Sequence, residues 1–529
     1  MRGTKSFVRV RSQENGEAPQ WHPDGAVTIT VRCFIDPSAR CLAQGEAVWI
    51  VADRPLRAWR VHPKVGRLLE ALRMNPDVEQ ALRTVPGLRR EMALELLERF
   101  ADEGLVRLEW SVPEDVLPPV TVVIPVRNRP RQLQACLAAL ERLDYPRDRL
   151  EVLVVDDAST DETPERAAAW CGRLPLRVIR MPFRVGAAEC RNQGAAAAQG
   201  EIVAFTDSDC LPHPRWLREL VVEFVRPSVA AVGGAVLPAD EQSWLDRYEA
   251  VQSPLTHGPV PARVRPRGAV PYLATANVLM RRRVLLELGG FARIHPGEDV
   301  DLIWRLCEQG WRVLYRPSGL VYHDHRDRLW PFLHRRAAYA TSEVVLVERH
   351  PAYRHVLTLP LALLMSVGWA LPSWRRGRWL PVFALLPILA ELVSAMRSVR
   401  RAGAPISTGR LLQGELRGTA AAVYWVGRTV SRYYSWAALI TGALTRRRGV
   451  GQWLLALVVM SLTGTAVVDY VRKRPRLDLV RFVLAHILDD LANNAGLLAG
   501  CLRYRTVRPM LVALSFYWPR RAPREERSR

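Results

Sequence analysis

Two carboxylates spaced i, i+2, Asp207 and Asp209, follow the short apolar run 202–205. In an extended segment i and i+2 lie on one side of the chain. Two oxygen-rich groups at a strand end can hold a hard divalent cation, which in turn holds phosphate oxygens. Asp-x-Asp alone is most often a solvated turn, so its neighbours carry the argument. A second acidic pair, Asp156-Asp157, closes the apolar run 150–155, and a third, Glu298-Asp299, precedes an amphipathic stretch over 300–308. A carboxylate at a helix start is often a cap on that helix. Arg191 can pair with a carboxylate or with phosphate. His323 and His325, after the run 313–322, either complete a cation site, since imidazole is a possible ligand, or are ordinary loop histidines.

The elements that must position these groups alternate. The β-branched run 119–125 predicts a buried strand, and Leu133, Cys136, Leu137 and Leu140 predict a helix face. A strand over 150–155 ends in the acidic pair. An apolar piece over 177–181 leads to Gly186 and then to Arg191-Asn192-Gln193-Gly194, and a helix from Ala195 to Ala198 precedes the strand that ends in Asp-x-Asp. Strand–helix alternation with polar residues at strand ends is the layout of an open parallel sheet, whose ligands bind outside the carboxyl ends of the strands.

At these residues the chain resembles the family 2 glycosyltransferases of GT-A fold. The segments that carry the likeness are Val123-Ile124-Pro125-Val126-Arg127-Asn128, Val155-Asp156-Asp157-Ala158-Ser159-Thr160-Asp161, Gly186 with Arg191-Asn192, and Phe205-Thr206-Asp207-Ser208-Asp209. It continues through Thr275-Ala276-Asn277, Leu288-Gly289-Gly290-Phe291 and Gly297-Glu298-Asp299-Val300-Asp301-Leu302 to Arg305. The resemblance implies a Rossmann-like, mostly parallel sheet and an inverting transfer from a UDP-sugar with Mg²⁺ or Mn²⁺. Asp209 would ligate the metal, and Asp207 the metal or the ribose. One of Asp156 and Asp157 would contact the nucleotide, with Pro125, Arg127, Gly186, Arg191 and Arg326 around the donor. His323 and His325 would be further metal ligands. Asp299, with Glu298 second, would be the catalytic base.

The chain has 529 residues, 49% of them hydrophobic, and a net charge of +22. Length predicts several domains. The arginine clusters, such as Arg375-Arg376-Gly377-Arg378 and Arg446-Arg447-Arg448, flank apolar segments, which points to an anionic membrane surface and not to nucleic acid. Eight cysteines without a Cys-x-x-Cys predict reduced, buried thiols. Residues 1–20 are polar and predict a disordered tail without a signal peptide. Residues 21–112 predict a winged helix: strands over 27–34 and 47–51, a helix face of Val65, Leu68, Leu69 and Leu72, a second helix carrying Leu94, Leu96, Leu97 and Phe100, then a turn into a strand. Glu91, Glu95 and Glu98 on that second helix repel phosphate, so peptide recognition or a structural use outranks DNA.

The transferase segment spans 113–345. Over 346–518 the apolar runs 355–371, 379–396 and 450–468 predict an α-helical, membrane-associated region, the last run long enough to span. The first two alternatively form interfacial or core helices. Residues 478–505 predict an interfacial or bundle-packing helix with Asp489, Asp490, Asn493 and Asn494 on one side, and 519–529 a charged tail. The whole arrangement resembles the mycofactocin-system glycosyltransferases. That likeness implies UDP-glucose as donor, premycofactocin or its glycosides as acceptor, β-1,4-linked glucose as product, and a cell-membrane location with the catalytic domain on the cytoplasmic side. The runner-up is a membrane-associated family 2 enzyme of polysaccharide or glycolipid synthesis, although Gln-x-x-Arg-Trp is absent: Arg335-Arg336-Ala337-Ala338-Tyr339 stands after His325.

Overall fold

The computed structural model describes residues 29–44, 47–53, 56–324, 328–362, 364–366, 386–447 and 449–517. The expected tails 1–20 and 519–529, His325, Arg326 and parts of the first two apolar runs lie outside the described residues. The chain packs into two units: Thr30–Glu109 with Asp327–Arg529, and Met1–Ile29 with Trp110–Arg326.

In the first of these, strands β1 (Thr30–Ile35), β2 (Arg40–Gln44), β3 (Ala47–Asp53) and β4 (Leu56–Val61) precede helices α1 (Pro63–Met74), α2 (Val78–Arg83) and α3 (Arg90–Asp102) and strand β5 (Val106–Ser111). β1 pairs with β5, while β2, β3 and β4 form an antiparallel sheet of their own. α1 buries Val65, Leu68, Leu69 and Leu72 as its spacing predicts. α3 buries Ala93, Leu97 and Phe100, leaving Glu91 and Glu95 exposed. The same unit holds the C-terminal helices Leu329–Arg349, Leu386–Ala402, Thr408–Thr429, Ser435–Leu444, Gly449–Lys473 and Leu479–Arg503. One segment departs from the apolar-run reading. Val356–Pro360 is a strand that pairs in parallel with Ala513–Tyr517; a strand partner so distant in sequence leaves no local signature. Among the described residues one helix, Gly449–Lys473, is long and apolar enough to cross a membrane.

The other unit is a nine-stranded mixed sheet. Its elements are β6 (Val120–Val126), α4 (Pro130–Glu141), β7 (Leu150–Asp156), α5 (Thr163–Ala168), β8 (Leu176–Arg180), α6 (Ala187–Ala197), β9 (Ile202–Phe205), β10 (Cys210–Pro212), α7 (Trp216–Val221), β11 (Val229–Pro238), α8 (Trp244–Gln252), β12 (Ala262–Arg263), β13 (Val278–Arg281), α9 (Arg282–Glu287), α10 (Glu298–Glu308) and β14 (Arg312–His323). The order is β10-β14-β11-β13-β9-β6-β7-β8, with β12 on β14. β9, β6, β7 and β8 are parallel, and β13 runs against both β9 and β11. β6 is wholly buried because helices cover both faces: Val122 and Ile124 join one core with Leu133, Leu137 and Leu140, while Val123 joins the other with Leu153, Val155 and Phe205.

Two differences from the sequence reading bear on the site. α6 already begins at Ala187, so Arg191 and Asn192 lie inside a helix and not ahead of one. An apolar stripe of alanines is too weak a periodic signal to mark that start. α6 lies close on the sheet because of Gly194: a Cβ there would meet Val123 Cγ1 at 2.4 Å. α10 likewise begins at Glu298, with Gly297 at φ 110° before it, so Glu298 and Asp299 belong to its first turn, where the helix dipole favours carboxylates. All eight cysteines are free; Cys136, Cys190 and Cys210 are buried, but Cys171 is exposed.

Asn277, from the Thr275-Ala276-Asn277 segment, is a buried tie between strands. It accepts from Trp216 Nε1 at 2.7 Å and donates to the Ala235 and Gly319 carbonyls at 2.8 Å each. Asn277→Ala strands a buried indole N–H and two carbonyls, and should destabilise the protein by roughly 3 kcal/mol, read by urea unfolding of the full chain. A loss under about 1 kcal/mol would mean the site relaxes or admits water.

Candidate active site

The carboxyl ends of the parallel strands bring the acidic groups together. Register aligns Val126 with Asp156 and Asp156 with Arg180. Beyond these ends the chain turns sharply, Asn128 and Ala158 taking positive φ values of 50° and 53°. Asn128 ties the two turns: its N–H donates to Ser159 Oγ at 2.9 Å and its Oδ1 accepts from the Thr160 N–H at 2.9 Å. Asp156 is fully buried and accepts from the Ser159 N–H at 3.2–3.3 Å, with Arg180 at 3.7 Å. Asp157 accepts from the Val185 N–H at 2.6 Å and the Gly186 N–H at 3.1 Å, fixing the approach to α6. Both carboxylates thus hold backbone turns. Arg127 follows β6, and its Nε is buried without a hydrogen-bond partner among the described residues.

Asp207 and Asp209 follow β9. Antiparallel pairing of β10 with β14 sets Cys210 opposite His323, and the Asp324 N–H donates to the Asp209 carbonyl at 3.0 Å. This register brings together residues more than a hundred positions apart: one donor atom each from Asp209, Cys210 and His323 lie within 4.8 Å of one another. His323 Nε2 is 3.7 Å from Asp209 Oδ1. The other Asp209 oxygen bonds the Arg129 guanidinium. Arg129 was not singled out by the sequence, because nothing local signals that a turn residue before Pro130 reaches this carboxylate.

Arg191 lies between two of the acidic groups. Its guanidinium donates to Asp207 Oδ1 at 2.7 Å and to Glu298 Oε1 at 3.0 Å, and it is almost wholly buried. Of the two roles open to Arg191, the ion pair is the one present. The second Glu298 oxygen is 3.4 Å from His295 Nδ1. Burial pushes the Glu298 carboxyl up, but the His295 contact and Arg191 outweigh it and hold it below its ordinary value. The same contact raises the His295 imidazole. Asp299 is the opposite case: burial first, then the Glu298 charge, push it up to about 7, against the Val300 N–H that donates to Oδ1 at 2.8 Å. Adjacent carboxylates with such separated affinities for protons divide into a fixed anion and a group that exchanges a proton near neutrality.

The remaining matched segments hold this arrangement. Asn192 Oδ1 accepts from the Phe291 N–H at 2.8 Å, and Gly290, at φ 70°, packs so closely that a Cβ would meet Asn192 Oδ1 at 2.4 Å. Arg305 donates to Asp301 and to the Leu288 and Gly290 carbonyls. The Leu288–Phe291 turn is therefore clamped between α6 and α10.

The chain is similar to known glycosyltransferases. A model of glycosyl transferase family 2 matches residues 121–289. The pre-mycofactocin glycosyltransferase of Mycobacterium tuberculosis is 33% identical over 494 residues, covering 89% of this chain and 95% of that protein. The glycosyltransferase AglE of Haloferax volcanii is 30% identical over 214 residues, 40% of this chain and 68% of AglE. Among solved structures, a Pyrobaculum calidifontis mannosyltransferase in complex with GDP-Man and Mn²⁺ is 24% identical, with a TM-score of 0.37 over 65% of this chain and 87% of that one; a likeness so loose adds nothing to the assignment. With 33% identity to the Mycobacterium tuberculosis relative across 89% of this chain, and the family 2 model matched, the chain belongs to the pre-mycofactocin glycosyltransferase family, a branch of the family 2 glycosyltransferases with a GT-A catalytic unit.

Proposed function

We propose that this enzyme transfers glucose from UDP-glucose, with inversion, to premycofactocin or its glycosides, forming a β-1,4 linkage. The observation that carries the mechanistic part is the double ion pair of Arg191. One guanidinium spans the Asp207 carboxylate, on the donor side, and Glu298, beside the proposed base. A sugar bound at Asp207 would thus have its anomeric carbon near Asp299.

Asp299 is the base in this reading. Glu298 has one oxygen on Arg191 and the other facing His295, which leaves Asp299 as the acid-turn carboxylate able to take the acceptor hydroxyl proton. Its elevated proton affinity suits that task. Attack opposite the leaving diphosphate inverts the anomeric centre. Asp157, less deeply buried than Asp156, is assigned to the nucleotide, while Asp156 forms the floor of the turn. Pro125, Arg127 and Gly186 border the nucleotide, and Arg326 is kept as a diphosphate contact. Arg129 holds Asp209 in the donor-free enzyme, and we assign it to the diphosphate once the donor binds.

The donor set at Asp209 and His323, with the Cys210 thiol alongside and Asp207 nearby in sequence, fits a divalent cation: the carboxylates suit Mg²⁺ or Mn²⁺, and the imidazole favours a transition ion such as Mn²⁺ over Mg²⁺. When bound, such a cation would supply positive charge against the leaving diphosphate. His325 is kept as a candidate ligand. The segment 30–109 carries none of the transferase motifs, and its acidic α3 favours a peptide-derived acceptor over nucleic acid; we assign it to acceptor recognition. Gly449–Lys473, the one helix among the described residues long and apolar enough to span, supports placement at the membrane, and we put the catalytic unit on the cytoplasmic side, where nucleotide sugars are supplied. That helix also keeps a second reading in view, transfer to a lipid-linked envelope acceptor. Incubation of the full chain with a panel of UDP-sugars and premycofactocin, followed by product mass, separates them: a hexose-shifted premycofactocin only with UDP-glucose supports the first reading, and none with any donor overturns it.

Asp299→Asn should lower turnover about 10²–10⁴-fold while leaving donor affinity near its original value, because a base acts in the transition state. Turnover within a few-fold of the parent would reduce Asp299 to a helix cap. Since the base must be ionised, kcat/KM should fall about tenfold per pH unit as pH drops below about 7, and flatten above it. An unchanged rate down to pH 5 would remove Asp299 from the role. Arg129→Gln releases one Asp209 oxygen, so calorimetry should find tighter Mn²⁺ binding by the donor-free chain, whereas Asp209→Asn should abolish it. Equal affinity in all three chains would displace the cation site from Asp209.

A further inference from the structure

The C-terminal helices bury polar residues and expose apolar ones. In Gly449–Lys473 the inward stripe includes Ser461, Thr465 and Asp469, while Val450, Trp453, Met460 and Val471 are each at least 61% exposed. Leu479–Arg503 turns His486, Asp490, Asn493 and Asn494 inward and leaves Val480, Leu484 and Leu502 exposed. A helix pair that faces water shows the reverse polarity.

Most interior polar groups are satisfied within the helices, His486 Nδ1 excepted. Tyr424 donates to Asp469 at 2.9 Å, and Arg428 donates to Asp490 at 2.7 Å. Arg432 donates to Asn493 at 2.7 Å, and Asn494 donates to the Tyr433 carbonyl at 2.7 Å. On the open side, the Thr463 hydroxyl bonds the Val459 carbonyl within its own helix at 2.7 Å. A hydroxyl that turns back onto its helix needs no water. Small residues make the close contact: Gly496 and Gly500, four apart, abut Ala337 and Thr341, and Thr341 Oγ1 donates to the Gly496 carbonyl at 3.0 Å. These are the devices by which helices associate where water gives no hydrophobic drive between them.

Both ends of Gly449–Lys473 are basic and exposed, with Arg446 and Arg447 before it and Arg472, Lys473 and Arg474 in or after its last turn. Its 25 residues rise about 37 Å, enough for a hydrocarbon core of about 30 Å with the charged ends outside it. We infer that the helical region is an integral membrane segment. The outward faces of Gly449–Lys473 and Leu479–Arg503 contact lipid hydrocarbon, and the flanking arginines meet anionic headgroups. Leu479–Arg503 goes unrecognised by hydropathy because His486, Asp490, Asn493 and Asn494 lower its average although all four are turned inward; Arg481 and Arg503 are exposed at its two ends. The inference rests on the membrane placement proposed above and deepens it from attachment to insertion.

The test uses the full chain, with the exposed Cys171 replaced by Ser. Membranes carrying it are washed with high salt and alkaline carbonate. The purified chain is then reconstituted in nanodiscs of phosphatidylcholine and phosphatidylglycerol, with nitroxides placed singly at Met460, Val467 and, as an aqueous reference, Arg283. The chain should resist both washes and leave only with detergent. Collision with a water-soluble nickel chelate should be several-fold lower at Met460 and Val467 than at Arg283, and collision with oxygen higher. A chain that pellets but is released by salt, or whose Met460 meets the chelate as freely as Arg283, keeps the membrane placement and overturns insertion. A chain in the soluble phase overturns both. Shielded nitroxides in a soluble oligomer would give this face to a second copy, and shielding in a soluble monomer to the chain's own segment 367–385.

Discussion

A single buried guanidinium, that of Arg191, holds the catalytic unit's two functional halves in register. It comes from α6, pairs with Asp207 beyond β9 and with Glu298 at the start of α10. Two buried charges, Arg191 and Glu298, and the half-buried Asp207 are costly to remove from water, and the arrangement persists only because each has a partner. Loss of Arg191 would leave two carboxylates without their counter-ion, which is far worse than never having buried them. The ion pair is therefore a positional constraint more than a source of net stability. α6 can supply it only because Gly194 lets the helix approach Val123 so closely.

That constraint also separates the proton affinities of Glu298 and Asp299. Arg191 and His295 hold Glu298 ionised, and its charge then raises Asp299 together with burial. Neighbours in sequence thus acquire opposite roles from their surroundings. The Val300 N–H and Arg191 act against that rise at Asp299, and the start of a helix is a favourable place for both anions. On the other side, Asp209 is divided between Arg129 and the His323 imidazole, so the cation site is neutralised internally in the donor-free chain.

The catalytic unit and the C-terminal helices obey opposite rules of solvation. The catalytic unit buries apolar strands between helices and keeps its charges at strand ends. The helices from Thr408 to Arg503 bury Asp469, His486 and Asp490 and turn valine, leucine and tryptophan outward. Amphipathic periodicity alone cannot tell these apart, because a stripe of polar residues has the same period whichever way it faces. The helix Leu479–Arg503, whose Asp489, Asp490, Asn493 and Asn494 group was open to an interfacial or a packing use, resolves into packing, Asp489 pairing with Arg336 at 3.3 Å and Asp490 with Arg428.

The sequence by itself determined the parallel strands, the α4 face and the acidic groups at strand ends, because buried strands and amphipathic helices write their period into a few consecutive residues. The family likeness was legible for the same reason, its motifs being short and local. Tertiary structure alone decided which groups meet. That Arg191 bridges Asp207 and Glu298, that Arg129 reaches Asp209, and that Cys210 falls opposite His323 depend on strand order and register across a hundred residues. The start of α6 was hidden because alanines carry no periodic contrast, and the pairing of Val356–Pro360 with Ala513–Tyr517 because a distant strand partner leaves no mark on the local pattern. The preference for Asp299 over Glu298 came with the family likeness, but the arginine and the histidine that occupy Glu298 come near it only in the packed chain.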